Sequence, residues 1–457
     1  MMKAKKNRFE MDMCSGPIFG KLISFSLPLM LSSILQLLFN AVDVMVVGKF
    51  AGADALAAVG ATTALINICT TLFIGISLGV SVSAARFFAT GHPHHMSDTV
   101  HTAISIAIIG GIAMIFVGMF GSRPALLLLG TPDNVIDQSV LYMRIYFCGM
   151  PAFMLYNFGA AILRAVGDTK RPLLFLIISG ISNALLNILL VVRFHLGVAG
   201  VGIATVVSLV ISCTLVLRCL CRTEGSYRLY FSKLRINKKR MLEIFRVGIP
   251  AGLQSMIINV SNAMLQSSVN SFGSDAMAGY TAANNLLGFI YVSINSVSQT
   301  CMTFTSQNCA AGLTKRMDKV LRNCFFISFI TGLTLGSLFY FGGPYILQIY
   351  TSEQVVIDYG MQVLKYTTLT YFLCGWMDLI PGALRGMGHS AAPMILSVIG
   401  TVGSRIVWIY GIFPLHRSVS FLFISYPASW IITICMQLIC YYFIRKKVYR
   451  SITDAQT

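Results

Sequence analysis

Three polar residues interrupt the first long apolar run of the chain. Gln36, Asn40 and Asp43 are spaced i, i+4 and i+7, which places them on one face of a helix. A carboxylate inside an apolar run needs a reason, because a charge in hydrocarbon costs several kcal/mol or more. Such an Asp can bind and release a proton, or join amide and carbonyl oxygens in holding a small cation. A second polar face, Asn183 and Asn187 at i and i+4, lies in the fifth such run. Asp43 lies about five residues from the outer end of its run, roughly 8 Å deep at about 1.5 Å per residue. The asparagines occupy the outer half of theirs, so the two faces are expected to meet. A second reading stays open, in which Asp43 only caps or pins helices near the membrane interface.

The C-terminal part is endowed differently. Its first apolar run carries Gln254, Asn259, Asn262 and Gln266 but no acid, and the next adds Asn284, Asn285, Asn295 and Gln299. One deep acid, Asp378, and one deep base, Arg405, follow in later runs. Their depths differ by roughly 7–8 Å at about 1.5 Å per residue, a gap that a long arginine can partly bridge. An ion pair between them is expected, within a polar site that includes Asn259, Asn262 and Gln266. A structural and a functional role are equally open for that pair.

The elements that must position these residues are membrane helices. Hydrophobic residues make up 56% of the 457 and charged ones 11%, with mean hydropathy +0.75; a soluble domain carries about 25% charge. The apolar runs have the length of roughly 20 residues needed to cross a bilayer. They fall at 22–48, 56–89, 99–122, 138–161, 172–194 and 197–220, then at 244–270, 277–308, 322–342, 358–384, 393–414 and 421–444. The first run is too long and too polar inside for a cleaved signal peptide, so the N-terminus is expected to be retained. The fold class is thus an all-α integral membrane protein of twelve transmembrane helices.

The net charge of +18 orients this protein and does not point to nucleic acid. With the N-terminus inside, 27 of the 34 basic residues fall in the tail (Lys3, Lys5, Lys6, Arg8, Lys21), the even-numbered loops and the C-terminus. The opposite loops hold only Lys49, Arg123, Arg193 and Arg417. This bias places both termini in the cytoplasm, at the cell membrane. The twelve cysteines are scattered, and Cys219 and Cys221 are too close together for a zinc or thioredoxin motif. No GxxxxGK[ST] loop supports ATP drive by this chain. His92, His94, His95 and Asp98 could form a short metal-binding cluster, but a solvated loop is the simpler reading and no metal is expected. Nor are catalytic residues or an organic cofactor.

Sliding the chain against itself by 221 residues aligns Leu163-Arg164 with Leu384-Arg385, Gly167 with Gly388 and Pro172 with Pro393. At 222, Pro28 meets Pro250, Asn40 meets Asn262, and Leu265 stands where Asp43 does. Six spans per half keep both halves parallel, as in transporters built from parallel repeats. The expected division is an N-terminal lobe over 1–221, a cytoplasmic linker over 222–243 and a C-terminal lobe over 244–457.

Pro28 followed by Phe39-Asn40-Ala41-Val42-Asp43, and Gly197-Val-Ala-Gly-Val-Gly-Ile-Ala-Thr205, resemble the multidrug and toxic compound extrusion (MATE) family. So do Leu163-Arg-Ala-Val-Gly-Asp-Thr-Lys-Arg-Pro172 and Leu384-Arg-Gly-Met-Gly-His-Ser-Ala-Ala-Pro393. The resemblance runs from about residue 15 to 447 and is nearest to the bacterial DinF-like branch. It implies a V-shaped, two-lobed antiporter exporting organic cations, drugs or other amphiphiles in exchange for H⁺ or Na⁺. In the family's N-lobe site a first-helix Asp works beside an Asn and an Asp on the fifth helix. Asp43 and Asn183 match the first two, while Asn187 replaces the second acid. The seventh-helix acid of some sodium-coupled members is absent, so their C-lobe site is not carried over.

The expectation that follows makes Asp43 the coupling residue, with Gln36, Asn40, Asn183 and Asn187 as its shell. The partners are membrane lipids and a small-molecule substrate, with no nucleic acid, and the chain is expected to work as a monomer. Two rivals stand beside it. A flippase for lipid-linked precursors would want a cationic cavity, and the spans offer only Arg144, Lys365 and Arg405. A membrane-embedded enzyme handling polyprenyl phosphates would want clustered acids for Mg²⁺, and no such cluster is present.

Overall fold

Length and apolarity decide which segments can cross a bilayer, and in the computed structural model, which describes residues 9–454, they are helical throughout. Nine segments among the described residues qualify alone. They comprise α1 (Ile18–Val46) with the π turn Val47–Ala51, α2 (Ala53–Ala89), α3 (Pro93–Leu128), and α6 (Lys170–Asn187) with the π turn Ile188–Arg193. α7 (Gly197–Arg222), α8 (Lys238–Asn270), α10 (Thr314–Phe341), the broken helix Ala391–Leu415 and the segment Val419–Asp454 complete them. A tenth crossing is α4 (Asp133–Cys148) with α5 (Met150–Ala165), bent by 44°. The other two expected crossings are α9 (Ser274–Ala310), 37 residues long but studded with amides, and the pair α12 (Gln354–Thr367) and α13 (Tyr371–Gly386). Between α10 and α12 lies the single turn α11 (Gly343–Leu347). Large apolar side chains such as Phe120, Leu128, Phe341 and Ile349 stand exposed, as a lipid-facing surface requires.

The chain divides into two compact units. The first takes the described part of Met1–Asp12 together with Leu31–Gly252; the second takes Met13–Met30 and the described part of Leu253–Thr457. Two of the cuts fall inside α1 and α8. Close helix packing explains the second cut. A Cβ on Gly75 or Gly79 of α2 would run into the backbone of α8 at Gly252 and Ile244, so this contact is open only to glycine. The start of α8 is thereby held on α2. Likewise the start of α1 packs in the second unit, where Phe25 meets Phe304 edge-on with ring centres 5.6 Å apart. The expected linker is itself ordered: Arg235 bonds Asp98 at 2.7 Å and Asn237 Nδ2 donates to it at 3.3 Å. Asp98 is thus committed to the segment after α7 instead of a histidine cluster, and among the described residues no group of three metal ligands is assembled.

The LRxxG loops are sharp turns after α5 and α13. Gly167 has φ +98° and Gly388 φ +88°, the left-handed region that favours glycine. In the first unit that turn is also strapped from below. Met11 N donates to Val166 O at 3.3 Å, Met11 abuts Gly167, and the Tyr227 hydroxyl donates to Glu10 at 3.0 Å. Asp168 is buried and paired with Arg171, whose guanidinium covers the Phe9 ring at 4.9 Å. Burial pushes the Asp168 carboxyl above its ordinary value, against the pull of Arg171. Of the tail's basic residues, Lys3, Lys5, Lys6 and Arg8 lie outside the described residues, and Lys21 donates to Ser15 O at 2.8 Å in the second unit.

Candidate cation site and its counterpart

α1 and α6 come close where Gly180 leaves room for the Phe39 ring; a Cβ at 180 would clash with it. That closeness lets the two polar faces touch. Asn187 Nδ2 donates to Asp43 Oδ1, and also to Asn183 Oδ1 at 3.3 Å. Asn187 and Asn183 are buried at 0% and 5% exposure, while Asp43 is half-buried. The Asn187 carbonyl oxygen is buried with no donor. The cluster therefore has acceptors in excess: one half-buried carboxylate and one orphaned amide oxygen. A proton or a small cation supplies what such a cluster lacks.

The structure brings together Asp43, Asn183 and Asn187 and leaves out Gln36 and Asn40, which are exposed and take no part in the bond. It adds two residues that sequence spacing did not indicate. Tyr142 and Tyr146, one helical turn apart on α4 with ring centres 6.3 Å apart, lie within electrostatic reach of Asp43. The i, i+4 spacing of two tyrosines on a span was the available signal. A further feature is the winding of the backbone. α1 passes into π turns four residues after Asp43, and α6 directly after Asn187. Under-wound turns inside helices are frequent at functional sites.

In the second unit the expected pair is not formed. Asp378 accepts from Asn295 Nδ2 at 3.4 Å; Asn295 in turn accepts from Gln299 at 3.0 Å. The charge within reach of Asp378 is Arg385, two turns along α13, and the phenol of Tyr291 lies within electrostatic reach as well. Arg385 donates to Gln254 at 2.6 Å. Arg405 faces elsewhere: Nη1 donates to Asn262 Oδ1 at 2.7 Å and to Ser261 Oγ at 3.4 Å, and the guanidinium lies over Tyr426 at 4.6 Å. The reason is again the winding. Arg405 sits in a four-residue α segment, Ser404–Val407, between π turns at Val398–Gly403 and Trp408–Ile412. The wider turns rotate it away from where α-helical spacing would aim it. Of the other residues expected in this site, Asn259 is exposed and Gln266 reaches only Asn270, at 3.4 Å.

A family model described as MatE matches residues 28–190 and 250–410, one stretch in each half of the duplication. The chain belongs to the MatE family. Among its MatE relatives is the probable multidrug resistance protein YoeA of Bacillus subtilis (strain 168), 29% identical over 433 residues and covering 93% of both chains. The FAD transporter of Shewanella oneidensis is 23% identical over 392 residues, covering 84% of this chain and 86% of its own. A crystal structure of MATE in complex with MaL6 aligns with TM-score 0.88 at 18% identity, over 97% of this chain and 98% of that one, a likeness of fold. The MatE family is one of transporters, and the two-repeat, twelve-helix architecture described above is its fold.

Proposed function

We propose that the chain is an antiporter that exports organic cations, drugs and related amphiphiles by alternating access, driven by inward H⁺ or Na⁺ bound at Asp43. The observation that carries this reading is the half-buried Asp43 carboxylate bonded by Asn187, beside an amide oxygen with no donor. The relatives named as multidrug resistance proteins support the cargo class. When the ion binds, the carboxylate is neutralised and its hold on Asn187 weakens, since a hydrogen bond to a charged acceptor is worth about twice one to a neutral acceptor. α1 and α6 are joined by that bond and both are under-wound beside it. Loosening it alters their packing and favours cargo release, and loss of the ion to the cytoplasm resets the site. The basic bias of the loops supports a chain with both termini in the cytoplasm. Its other partners in this reading are membrane lipids, and it works as a monomer.

The test is efflux of a fluorescent organic cation from proteoliposomes with an imposed pH gradient alone, then a sodium gradient alone. One gradient is expected to drive the wild type and neither to drive Asp43→Asn. Equal transport by Asp43→Asn and wild type would remove the coupling role.

A further inference from the structure

The second unit buries a positive charge and gives it no carboxylate. Arg405 is 3% exposed, and no described acid forms an ion pair with it; Asp378 is engaged with Asn295. A guanidinium stays charged at every accessible pH, and leaving that charge unpaired within a membrane helix is costly. What it has are neutral partners: the Asn262 and Ser261 oxygens on Nη1, and the face of Tyr426, whose hydroxyl lies 3.3 Å from that of Tyr280.

The pattern of what is bonded matters. All the hydrogen bonds of Arg405 go through Nη1. Nε is buried without a partner, and Nη2 makes no hydrogen bond to the described residues. The unbonded side is therefore the Nε–Nη2 edge, where two parallel N–H groups match the two oxygens of a carboxylate or phosphate. The residue also sits between two π turns, so the helix carrying it is locally adaptable. We propose that the Nε–Nη2 edge of Arg405 binds an oxyanion, the carboxylate or phosphate group of the cargo. The cargo class then includes amphiphiles with an anionic group, recognised in the second unit by a guanidinium held flat on Tyr426. This rests on the reading of the chain as an exporter of amphiphiles, and it is tested by binding alone.

The experiment uses the purified full chain in neutral detergent and two rhodamines that differ at one group, a free benzoic acid and its ethyl ester, followed by fluorescence polarisation. The wild type is expected to bind the acid about tenfold tighter than the ester or more, the worth of hydrogen bonds to a charged partner. Arg405→Lys keeps the charge but not the fork. It and Arg405→Gln are expected to lose most of that preference while ester affinity stays, with size-exclusion profiles checking that both fold. A wild type with no preference overturns the proposal without recourse to any variant. So does a Lys variant that keeps the full preference, or variants that lose acid and ester equally. Titration with sodium phosphate separates the two sources of the group. Displacement of the acid but not the ester at low millimolar phosphate makes a free oxyanion the occupant and overturns the assignment to the cargo; no displacement supports the cargo's own group. Binding is read with no ion gradient imposed, so a failure of ion coupling leaves this result standing.

Discussion

The two units use the same helices of the repeat for opposite charges. In the first, the last turns of α1 and the end of α6 bring together a carboxylate and an amide N–H. In the second, their counterparts α8 and the broken helix Ala391–Leu415 bring together an amide C=O and a guanidinium. At the offset of 222, Asn262, which accepts from Arg405, is the counterpart of the idle Asn40, and Leu265 is that of Asp43. At 221, Ser404 and Trp408 stand where Asn183 and Asn187 do. Duplication thus preserved which helices touch, while single residues set the sign of the charge between them. The difference teaches that the repeat supplies a polar junction, and that each junction is specific to the charge it now holds.

The largest effect is expected from forcing the first unit's charge on the second. Leu265 is fully buried in an apolar cluster. Leu265→Asp places a carboxylate there without the amide donor that Asp43 has, at a cost of several kcal/mol. The folded yield, measured by size-exclusion chromatography of the detergent extract, should fall close to zero. Normal yield would mean that the second junction tolerates either sign.

Next comes the bond itself. Asn187→Leu removes the donor to Asp43 and leaves Asn183 Oδ1 without its partner, a loss of about 1.5–3 kcal/mol for a hydrogen bond to a charged group. Thermal stability in detergent should drop accordingly, and gradient-driven efflux by tenfold or more. Asn187→Asp instead adds a second acceptor beside the first; it should raise cation demand at the site and retain coupled transport. If Asn187→Leu exports normally, Asp43 works without α6 and the junction is only structural.

A smaller contrast lies in the two glycine turns. Gly167 and Gly388 share positive φ, so alanine at either strains the backbone by about 1 kcal/mol. Gly167 also faces Met11 of the N-terminal strap, where overpacking adds about 1–3 kcal/mol. Gly167→Ala should therefore lower the melting temperature by more than the backbone strain alone, and trimming the strap with Met11→Ala should recover the excess. No recovery with Met11→Ala would mean that the strap yields freely.

The sequence made some of this legible and not the rest, for physical reasons. Hydropathy and the 221-residue repeat located the spans, because a bilayer imposes length and apolarity on every crossing. The meeting of Asp43 with Asn183 and Asn187 followed from shared depth and i, i+4 spacing. The expected Asp378–Arg405 pair failed because depth was reckoned on a uniform α-helix, and π turns on both sides of Arg405 alter its direction. Composition marks Cys221 to Glu243 as a basic loop and is silent on its packing. What holds the start of α8 to α2 is a set of glycine contacts that composition does not register. Tyr142 and Tyr146 were overlooked because an aromatic on a span reads first as packing.

The finest test concerns how far along α1 the first junction extends. Spacing put Gln36, Asn40 and Asp43 on one stripe, yet only Asp43 touches α6, and the other two are exposed. An exposed, unbonded amide contributes within about 0.5 kcal/mol. Asn40→Ala should therefore leave both the melting temperature and the ion requirement of efflux unchanged. Its counterpart Asn262→Ala strips an acceptor from buried Arg405 and should cost about 1.5–3 kcal/mol. An ion requirement that shifts in Asn40→Ala at unchanged stability would extend the cation site one turn along α1. The stripe would then act as a path to Asp43, and the asymmetry between the units would be one of degree.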